Sequence, residues 1–504
     1  MAPPIYEKNA KEIENLLDLP IREKEKHKFG EVMTPQSLIE EVLDHLPAHV
    51  WRNPHLKWFD PAAGIGNFFI VVFHRLMHGL SRKISNPKER AQHIVEKMLY
   101  MNELNPENAK RARQLFGPNA NITTRDFLEE GEFPPEEPFD IILENPPYQI
   151  ANEGPGKWGA KGRSHTLWPE FIEKSLSLLT PDGCLGAITP ATWRSPEHPL
   201  LAELKDKRHL KYLHIYDKQA GLDLFHAQTR FDIYVVVNGP AKPSQSTFTK
   251  SSQSVSTNIS QKPSQSTFTK SSQSTFTKSS QSVSLKPLCV PEGNTNGNSK
   301  KPLCVPEGNT NGNSKKPFKE KTELVDEKGK KTKIYLQEWP FLPNYFYNEI
   351  KELLIPIQNT STRKTRKVRP PIKTMAPIYH SNLYSSKVLS QTPTGRWKIP
   401  IVHTITKNGL GILYSNRKET EHIGKRKVLL NFNEKQYPHN DFKGEYGMSQ
   451  LTFGIPIQNK REGDALVTYI NSPFFKEVIK ATKWGVFYTN YKMFSYFRFP
   501  NLQH

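Results

Sequence analysis

The four residues Asn145-Pro146-Pro147-Tyr148 carry groups that suit a planar ligand bearing an NH2 group. The Asn145 amide offers an acceptor and a donor, the Pro146 carbonyl is fixed in direction by the following proline, and Tyr148 offers an aromatic face. Neither proline can donate to a sheet ladder, so the four residues are predicted to form a rigid loop after a strand. The alternative is a proline-stiffened turn without a chemical role.

An apolar run of strand type, Ile141-Ile142-Leu143, leads into this loop, and three other predicted strands end in acids. These acids are Asp60, Glu103 and Asp126. In open α/β sheets the carboxyl ends of the strands share one edge, and ligands bind there. The sequence therefore predicts that the three acids and Asn145 surround one cleft.

Small residues follow Asp60 in the stretch Pro61-Ala62-Ala63-Gly64-Ile65-Gly66. They allow a tight backbone turn and a close approach to a ligand, and a helix predicted at about 69–80 completes the strand-loop-helix context. The Asp60 carboxylate can bind an ammonium group, which a loop that cradles phosphate would not need. The pattern favours a cofactor with an amino group over a simple nucleotide.

Alternating strands and helices in the first 240 residues predict an α/β fold. Strands are predicted at 56–60, 98–103, 184–188, 210–216 and 231–237, and helices at 36–46, 108–115, 167–179 and 199–207. A turn is predicted at 180–183, a loop at 221–230, and from Lys319 a strand that pairs next to the strand at 231–237. The glycine-rich stretch 149–165 is predicted to be a lid or substrate clamp.

The linear order of these motifs resembles the gamma group of N6-adenine DNA methyltransferases, over about residues 29–238. Asp-Pro-x-x-Gly-x-Gly-x-Phe from Asp60 resembles their cofactor loop, and Asn-Pro-Pro-Tyr resembles the catalytic motif of the amino-methyltransferases. The segment 29–35, with Thr34 and Pro35, resembles the part that closes over the methionine end of the cofactor. The resemblance implies a Rossmann-like S-adenosylmethionine-dependent methyltransferase sheet, of the kind found in type II restriction-modification systems.

S-adenosyl-L-methionine is the cofactor that the resemblance implies. Asp60 is then expected to bind its ammonium group, Glu103 its ribose hydroxyls and Asp126 its adenine amino group, while Phe127 packs by its ring. The full set of cofactor-binding residues implied is Thr34, Pro35, Asp60, Ala62, Gly64, Gly66, Glu103, Asp126, Phe127 and Asn145.

Base flipping is implied for the substrate, because an enzyme cannot reach the amino group of a base inside a duplex. Asn145 and Pro146 would accept hydrogen bonds from the amino group and Tyr148 would stack on the base, which makes these three the expected catalytic residues. Positioning and electrostatics would supply the rate without a strong general base. The expected substrate-binding residues are Pro147, Tyr148, Phe225, Lys157, Arg163, Arg396 and Trp397, with core packing as the alternative for Phe225.

The composition favours a polyanionic partner, since the net charge of the 504 residues is +20 and the pI is near 9.5. The three cysteines cannot form a disulfide framework, and no Cys/His spacing fits a zinc site, so no metal is expected. No apolar run approaches the ~20 residues of a membrane-spanning helix. We expect a monomer, soluble and intracellular in the cytoplasm, nucleoid or a viral host cell, and neither secreted nor membrane-bound.

Three regions are predicted. Residues 1–240, completed by about 317–335, form the catalytic domain. Residues 241–316 contain two duplicated polar sequences, one with copies at Lys242 and Lys262 and one at Lys286 and Lys301, and this insert is predicted to be disordered. Residues 336–504 are predicted to be a mixed α+β target-recognition domain that binds double-stranded DNA.

The prediction for the last region depends on basic clusters interleaved with aromatic residues. The clusters are 363–369, 396–398, 417–418 and 425–427, and the rings are Trp397, Tyr414 and Trp484. Its core is expected to contain Phe474, Phe475, Phe494, Tyr496, Phe497 and Phe499.

Alternative functions share the same motif. Cytosine-N4 transfer uses the same geometry, and glutamine N5-methyltransferases that act on proteins also carry Asn-Pro-Pro-Tyr. A nucleic-acid-binding protein on a decayed methyltransferase scaffold is disfavoured, since every motif is intact. The sequence leaves open the recognition site, the source organism, the role of the insert and whether a cognate restriction endonuclease is a partner.

Overall fold

The computed structural model describes residues 5, 33–129, 138–148, 166–239, 320–355, 374–375, 388–416, 421–485 and 489–499. Several predictions fall outside these ranges: the insert, the 149–165 lid with Lys157 and Arg163, and the basic clusters at 363–369 and 417–418.

Nine strands form the main sheet. They are β1 (Trp58–Asp60), β2 (Leu99–Asn102), β3 (Asn121–Thr123), β4 (Phe139–Glu144), β5 (Leu179–Pro190), β6 (His209–Tyr216), β7 (Phe231–Val237), β8 (Thr322–Val325) and β9 (Lys331–Ile334). Their order across the sheet is β3-β2-β1-β4-β5-β7-β6-β8-β9. Five neighbouring strands, β3, β2, β1, β4 and β5, are parallel to one another. Strand β7 is antiparallel to both of its neighbours, β5 and β6. The chain thus changes its direction of travel across the sheet between β1 and β4, which is where an open α/β sheet binds ligands.

In the part of the chain that the structure describes, eight α-helices accompany this sheet. They are α1 (Gln36–Asp44), α2 (Asn67–Gly79), α3 (Pro87–His93), α4 (Pro106–Phe116), α5 (Trp168–Ser177), α6 (Pro199–Asp206), α7 (Lys218–Phe225) and α8 (Tyr347–Leu353). Helix α4 shows why the sequence folds this way locally: the Asn105 side chain caps it by accepting from the Glu107 amide at 3.1 Å, and Pro106 stands at the first helical position. The sheet is covered on both faces by apolar side chains, as its runs of Val and Ile require.

The predicted loop at 221–230 is wrong, because its first half is helix α7. The Asp217 side chain caps this helix by accepting from the Ala220 amide at 2.9 Å. Gly221, the first residue of the predicted loop, lies inside the helix. A Cβ at this position would overlap the Thr229 carbonyl oxygen, so glycine here permits a close backbone approach.

Two other predictions for the sheet are also wrong. The predicted turn at 180–183 lies within β5, where Asp182 has a φ of 61° and the register against β4 shifts. Strand β8 pairs with β6 and not with β7, with Tyr212 opposite Glu323. Strand β7 is hydrogen-bonded on both sides, to β5 and β6, so only β6 has an edge for β8.

The described residues nearest the insert, at the end of β7 and the start of β8, lie at the end of the sheet opposite the carboxyl ends of β1 and β4. Strand β7 runs antiparallel to β5 and ends at Val237, opposite His209. Strand β8 is parallel to β6 and begins at Thr322, whose hydroxyl donates to the Leu210 carbonyl at 2.6 Å. The chain therefore leaves and re-enters the sheet away from the Asn145 loop.

Within its described residues, the C-terminal region contains two small sheets and two further α-helices. One sheet has the order β10-β12-β11-β15 and the other β14-β13-β16, with β10 (Leu389–Ser390), β11 (Ile399–Thr406), β12 (Gly409–Ser415), β13 (Lys427–Asn431), β14 (His439–Asp441), β15 (Gly447–Met448) and β16 (Thr452–Pro456). The helices are α9 (Lys460–Asn471) and α10 (Pro473–Ala481). One continuous apolar core runs from Phe59 in the main sheet to Phe499.

Most of the predicted C-terminal core is confirmed, with Phe475, Phe494, Phe497 and Phe499 buried and Tyr496 packed against them. Phe474 is instead 38% exposed. Trp484 was expected on a DNA surface, but it is buried and its indole donates to the Leu342 carbonyl at 2.6 Å. Lys427 likewise forms a buried ion pair with Asp441 at 2.7 Å. Both side chains stabilise the fold and are not available to a ligand.

Candidate active site

Adjacent strands bring Asp60, Glu103 and Asn145 to one edge of the sheet. Asp60 ends β1 and pairs with Met101 of β2, two residues before Glu103. On the other side of β1, Phe59 pairs with Ile142 of β4, three residues before Asn145. The strand ends therefore converge as the sequence predicted, on both sides of the point where the strand order reverses.

The glycine loop after β1 is tied to Glu103. The Gly64 amide donates to Glu103 Oε2 at 2.7 Å, and the other oxygen, Oε1, accepts from the Asn105 amide at 2.8 Å. Gly66 has a φ of 94°, and a Cβ there would lie 2.5 Å from the Phe116 ring. Gly64 has a φ of 58°, but a Cβ there would meet no atom within 4 Å. Gly66 is thus required by packing, whereas the open side of Gly64 is the side that a ligand can approach.

Asp60 is a buried carboxyl, only 2% exposed. Burial raises its pKa to about 8, the Ala62 amide that donates to Oδ1 at 3.1 Å opposes this, and the charge of Glu103 adds to it. Ionised Asp60 is therefore costly in the ligand-free protein. A cationic group beside it would offset that cost.

Asp126 and Phe127 follow β3 at the same edge. Asp126 Oδ1 accepts from the Leu128 amide at 2.9 Å. The Phe127 ring is 2% exposed and packs between Phe59 and Phe171, with centroids 6.0 and 5.1 Å away. Phe127 was expected to pack by its ring at the cofactor, and the structure shows the ring packed in the core below the strand ends.

Asn145 contacts the segment before α1. Its Nδ2 donates to Thr34 Oγ1 at 3.1 Å, and Pro35 begins the turn into the helix. Helix α1 is held to β6, since Glu41 accepts from the Tyr212 hydroxyl at 2.8 Å and faces His214 Nδ1 at 2.5 Å. Thr34 is thereby fixed beside the Asn145 loop.

Pro146, Pro147 and Tyr148 continue the loop beyond β4. Pro146 is buried and Pro147 half-buried. The Tyr148 ring is half-buried, and its hydroxyl lies inside the protein, with no hydrogen-bond partner among the described residues. Burial raises the pKa of Tyr148, so the hydroxyl keeps its proton and can donate. The Tyr148 ring is therefore partly accessible, while its hydroxyl points into the protein.

Glu144 is a residue that the sequence analysis missed. It is fully buried, and neither carboxyl oxygen accepts a hydrogen bond from the described residues. Burial raises its pKa to about 8, the Ser175 hydroxyl nearby opposes this without hydrogen-bond geometry, and the charge of Asp60 adds to it. The strand period of two was a usable indication, since it places Glu144 on the same buried face as Ile142.

The other expected substrate residues lie elsewhere. Phe225 is 3% exposed and packs edge-on against Phe231, with centroids 4.9 Å apart, which favours the core-packing alternative. Arg396 and Trp397 precede β11, where Arg396 is exposed and stacks 4.8 Å from the Trp397 ring centroid.

Within the described ranges, no three His, Cys, Asp or Glu side chains are grouped to hold a metal ion. The helices of these ranges are also too short or too polar to cross a membrane.

The chain is thus a mixed α/β protein in which acids, a proline-stiffened amide and an aromatic ring follow neighbouring strands at the point of strand reversal. Residues 77–221 match the family described as Eco57I restriction-modification methylase. That match covers the central part of the sheet and the Asn145 loop.

Two curated proteins are similar to the chain. An uncharacterised adenine-specific methylase from Mycoplasma pneumoniae is 23% identical, over 35% of this chain and 58% of its own length. The type II methyltransferase M.BstVI from Geobacillus stearothermophilus is 28% identical, over 32% of this chain and 33% of its own. The chain thus spans a third to just over half of these relatives. Together with the family match, they confirm the resemblance to restriction-modification adenine methyltransferases.

Among solved structures, the M protein of the type I restriction enzyme EcoKI matches 40% of this chain and 43% of its own. The identity is 16% and the TM-score 0.32, a likeness too distant to define the fold.

Proposed function

We propose that the chain transfers a methyl group to the N6 amino group of adenine in a specific double-stranded DNA sequence. The observation that carries this proposal is the Asn145-Pro-Pro-Tyr loop, which follows a parallel strand at the point of strand reversal and is joined to Thr34. The similarity to adenine methylases supports the choice of base.

The cofactor proposed is S-adenosyl-L-methionine, which would supply the methyl group when bound. Two observations fit it. Asp60 is a buried carboxyl whose charge a neighbouring ammonium or sulfonium group would stabilise. The Gly64 backbone beside it has open space on its Cα side, so a ligand can approach closely. Thr34, Pro35, Ala62, Glu103 and Asp126 surround the same edge and complete the proposed site.

The chain's own residues would activate the amino group. Asn145 Nδ2 is engaged by Thr34, so its Oδ1 remains to accept from one N–H, and the Pro146 carbonyl can accept from the other. Two acceptors on one NH2 group draw its lone pair out of ring conjugation and toward the donor carbon. Tyr148 would stack on the flipped base. Preorganised acceptors of this kind are worth ~10²–10³-fold in rate.

The C-terminal region is proposed to bind DNA. Its candidate contact residues are exposed cations such as Arg396, with the half-buried ring of Trp397 beside it. The insert is proposed to be dispensable for chemistry, and Lys157 and Arg163 are proposed to contact DNA phosphates from the lid.

Incubation of the protein with methyl-labelled S-adenosylmethionine and duplexes of random sequence tests the proposal. Nuclease digestion and chromatography would then identify the labelled atom. Label on N6-methyladenine is expected. Label on N4-methylcytosine, on a glutamine side chain or on no product would contradict the assignment, and each of these results points to a different alternative.

A further inference from the structure

A buried ion pair joins the end of β5 to β7. Arg194 Nε donates to Asp232 Oδ2 at 2.8 Å, and neither side chain is exposed. Asp232 is the second residue of β7, and Arg194 ends the short 3-10 turn Ala191–Arg194 that follows β5. Burying two charges is costly unless further hydrogen bonds satisfy them. The remaining partners of the pair are therefore informative.

Arg194 uses its other donors on the C-terminal part of the chain. Nη1 donates to the carbonyls of Leu342 and Pro343, each at 3.1 Å, and Nη2 donates to Asn344 Oδ1 at 2.8 Å. Asn344 Nδ2 in turn donates to the Lys483 carbonyl at 3.0 Å. One guanidinium thus joins the sheet that carries the Asn145 loop to two segments of the C-terminal region.

Asp232 has an oxygen left over. No described residue donates a hydrogen bond to Asp232 Oδ1. No described residue accepts one from the Tyr148 hydroxyl. Both groups belong to the same packed side of the sheet. Tyr148 packs against the apolar cluster that contains Trp193 and Tyr234, whose rings are 5.3 Å apart and which lie next to Arg194 and two residues after Asp232 in the sequence. Burial raises the pKa of Tyr148, and the charge of Asp232 adds to this. The Trp193 indole N–H also faces this carboxylate without hydrogen-bond geometry. A carboxylate oxygen has two acceptor positions, so Oδ1 can accept from both.

We propose that Asp232 is a positioning residue for Tyr148, whose hydroxyl donates to Asp232 Oδ1 when a base is bound, so that the plane of the stacking ring is fixed. This inference rests on the proposed function, because it gives a partner to the tyrosine of the proposed base site. Arg194 holds the carboxylate in place and shares its donors with the C-terminal region. The stacking ring and the proposed DNA-binding region therefore belong to one hydrogen-bonded network.

The test uses the full chain with three variants: Tyr148→Phe, Asp232→Asn and the double variant. For each variant, kcat and the KM values for cofactor and DNA are measured. A second assay places 2-aminopurine at the position of the target adenine, because stacking on an aromatic ring quenches its fluorescence. Tyr148→Phe should lower kcat about tenfold, the equivalent of one hydrogen bond, with KM for the cofactor unchanged. The fluorescence of bound 2-aminopurine should rise, because the ring stacks less firmly.

The double variant separates positioning from independent effects. If the two groups act together, it should lose no more activity than the worse single variant. Asp232→Asn also leaves the buried Arg194 short of a charge partner and lowers stability. Tyr148→Phe, which removes a single oxygen atom, therefore tests the hydroxyl by itself, and the double variant tests its coupling to Asp232. Tyr100→Phe, a half-buried tyrosine of β2, is the matched control and should behave as the wild type.

Wild-type kcat and fluorescence in Tyr148→Phe, or strictly additive losses in the double variant, would overturn the inference while leaving the proposed function intact. A wild-type protein that methylates no DNA would overturn both.

Discussion

Asn145 and Thr34 are 111 positions apart in the sequence, and Asn145 Nδ2 donates to Thr34 Oγ1 at 3.1 Å. This hydrogen bond joins the loop after β4 to the segment that enters α1. It also fixes the rotation of the amide, because a planar amide with its nitrogen engaged has its oxygen on the other side. The proposed acceptor for the substrate amino group is therefore set before any substrate binds.

Replacement of Asn145 by alanine removes the proposed acceptor. We expect Asn145→Ala to reduce methyl transfer by ~10³-fold or more, as loss of a preorganised transition-state partner does. The cofactor Kd from calorimetry should change little. The control is Asn119→Ala, which should retain full activity. Asn119 is an exposed residue just before β3, and its side chain donates to Glu96. Retained turnover in Asn145→Ala would show that the reacting centre lies elsewhere.

Thr34 should affect the same step through Asn145. Thr34→Val keeps the shape of the side chain and removes the hydroxyl, so the amide is no longer held in one rotation. A fall in kcat of about tenfold is expected, consistent with the loss of one hydrogen bond. Thr34→Ser restores the hydroxyl and should restore most of the rate. Equal rates for the valine and serine variants would argue against this role.

The two glycines of the β1–α2 loop should respond differently to alanine. Gly66→Ala places a Cβ against Phe116 at a φ of 94°, so a loss of ~1–3 kcal/mol in the free energy of unfolding is expected. Gly64→Ala meets no atom and should cost only ~1 kcal/mol from its positive φ. Its effect should instead be on cofactor affinity, which titration calorimetry measures. The opposite ranking of the two variants in a denaturation experiment would be inconsistent with this geometry.

The raised pKa of Glu144 should make the free energy of unfolding depend on pH. Its pKa in the folded protein is about 8, above the ~4.3 of an unfolded glutamate, so the native state binds the proton more tightly. The free energy of unfolding should therefore fall as pH rises from about 4 to about 8. In Glu144→Gln this fall should be smaller by ~1–3 kcal/mol, as measured by urea denaturation at pH 5 and pH 8. Glu129→Gln, at an exposed glutamate, should keep the wild-type slope.

Removal of the insert should leave the chemistry unchanged. Val237 and Thr322 are separated only by β6, two strand spacings or ~10 Å, so a short Gly/Ser linker can replace 243–315. Both ends lie at the sheet edge away from Asn145, and loop length has a weak effect on stability. We expect kcat and cofactor affinity within about twofold of the full chain. A loss of activity without a loss of thermal stability would assign the insert a role in catalysis.

Local patterns were enough to predict most of the sheet and the ends of its strands. Strand β7 was predicted at its observed bounds, because six of its seven residues are strand formers and the polar Asn238 follows them. The capping role of Asn105 and Pro106 was similarly encoded within one helical turn. The convergence of Asp60, Glu103 and Asn145 followed from the parallel topology that such alternation requires.

Long-range packing accounts for the residues that were misplaced or missed. The burial of Phe127 and Trp484 depends on partners that are distant in sequence, Phe171 for one and Leu342 for the other. The Arg194–Asp232 pair joins residues 38 positions apart and gains its remaining partners about 150 positions further on. No local spacing rule identifies such contacts.

The shared core has a practical consequence for chimeric proteins. Strands β10 to β12 have a small apolar cluster of their own, containing Val388, Ile401 and Leu413, whereas α10 and the segment 491–499 are part of the core that reaches Phe59. A graft taken from a relative to alter sequence preference would best exchange 388–416 together with Leu429 and Met448, against which Val402 and Ile405 of β11 pack. A transplant that also removed Leu342 and Asn344 would strip a buried guanidinium of its acceptors and would yield insoluble material instead of a retargeted enzyme.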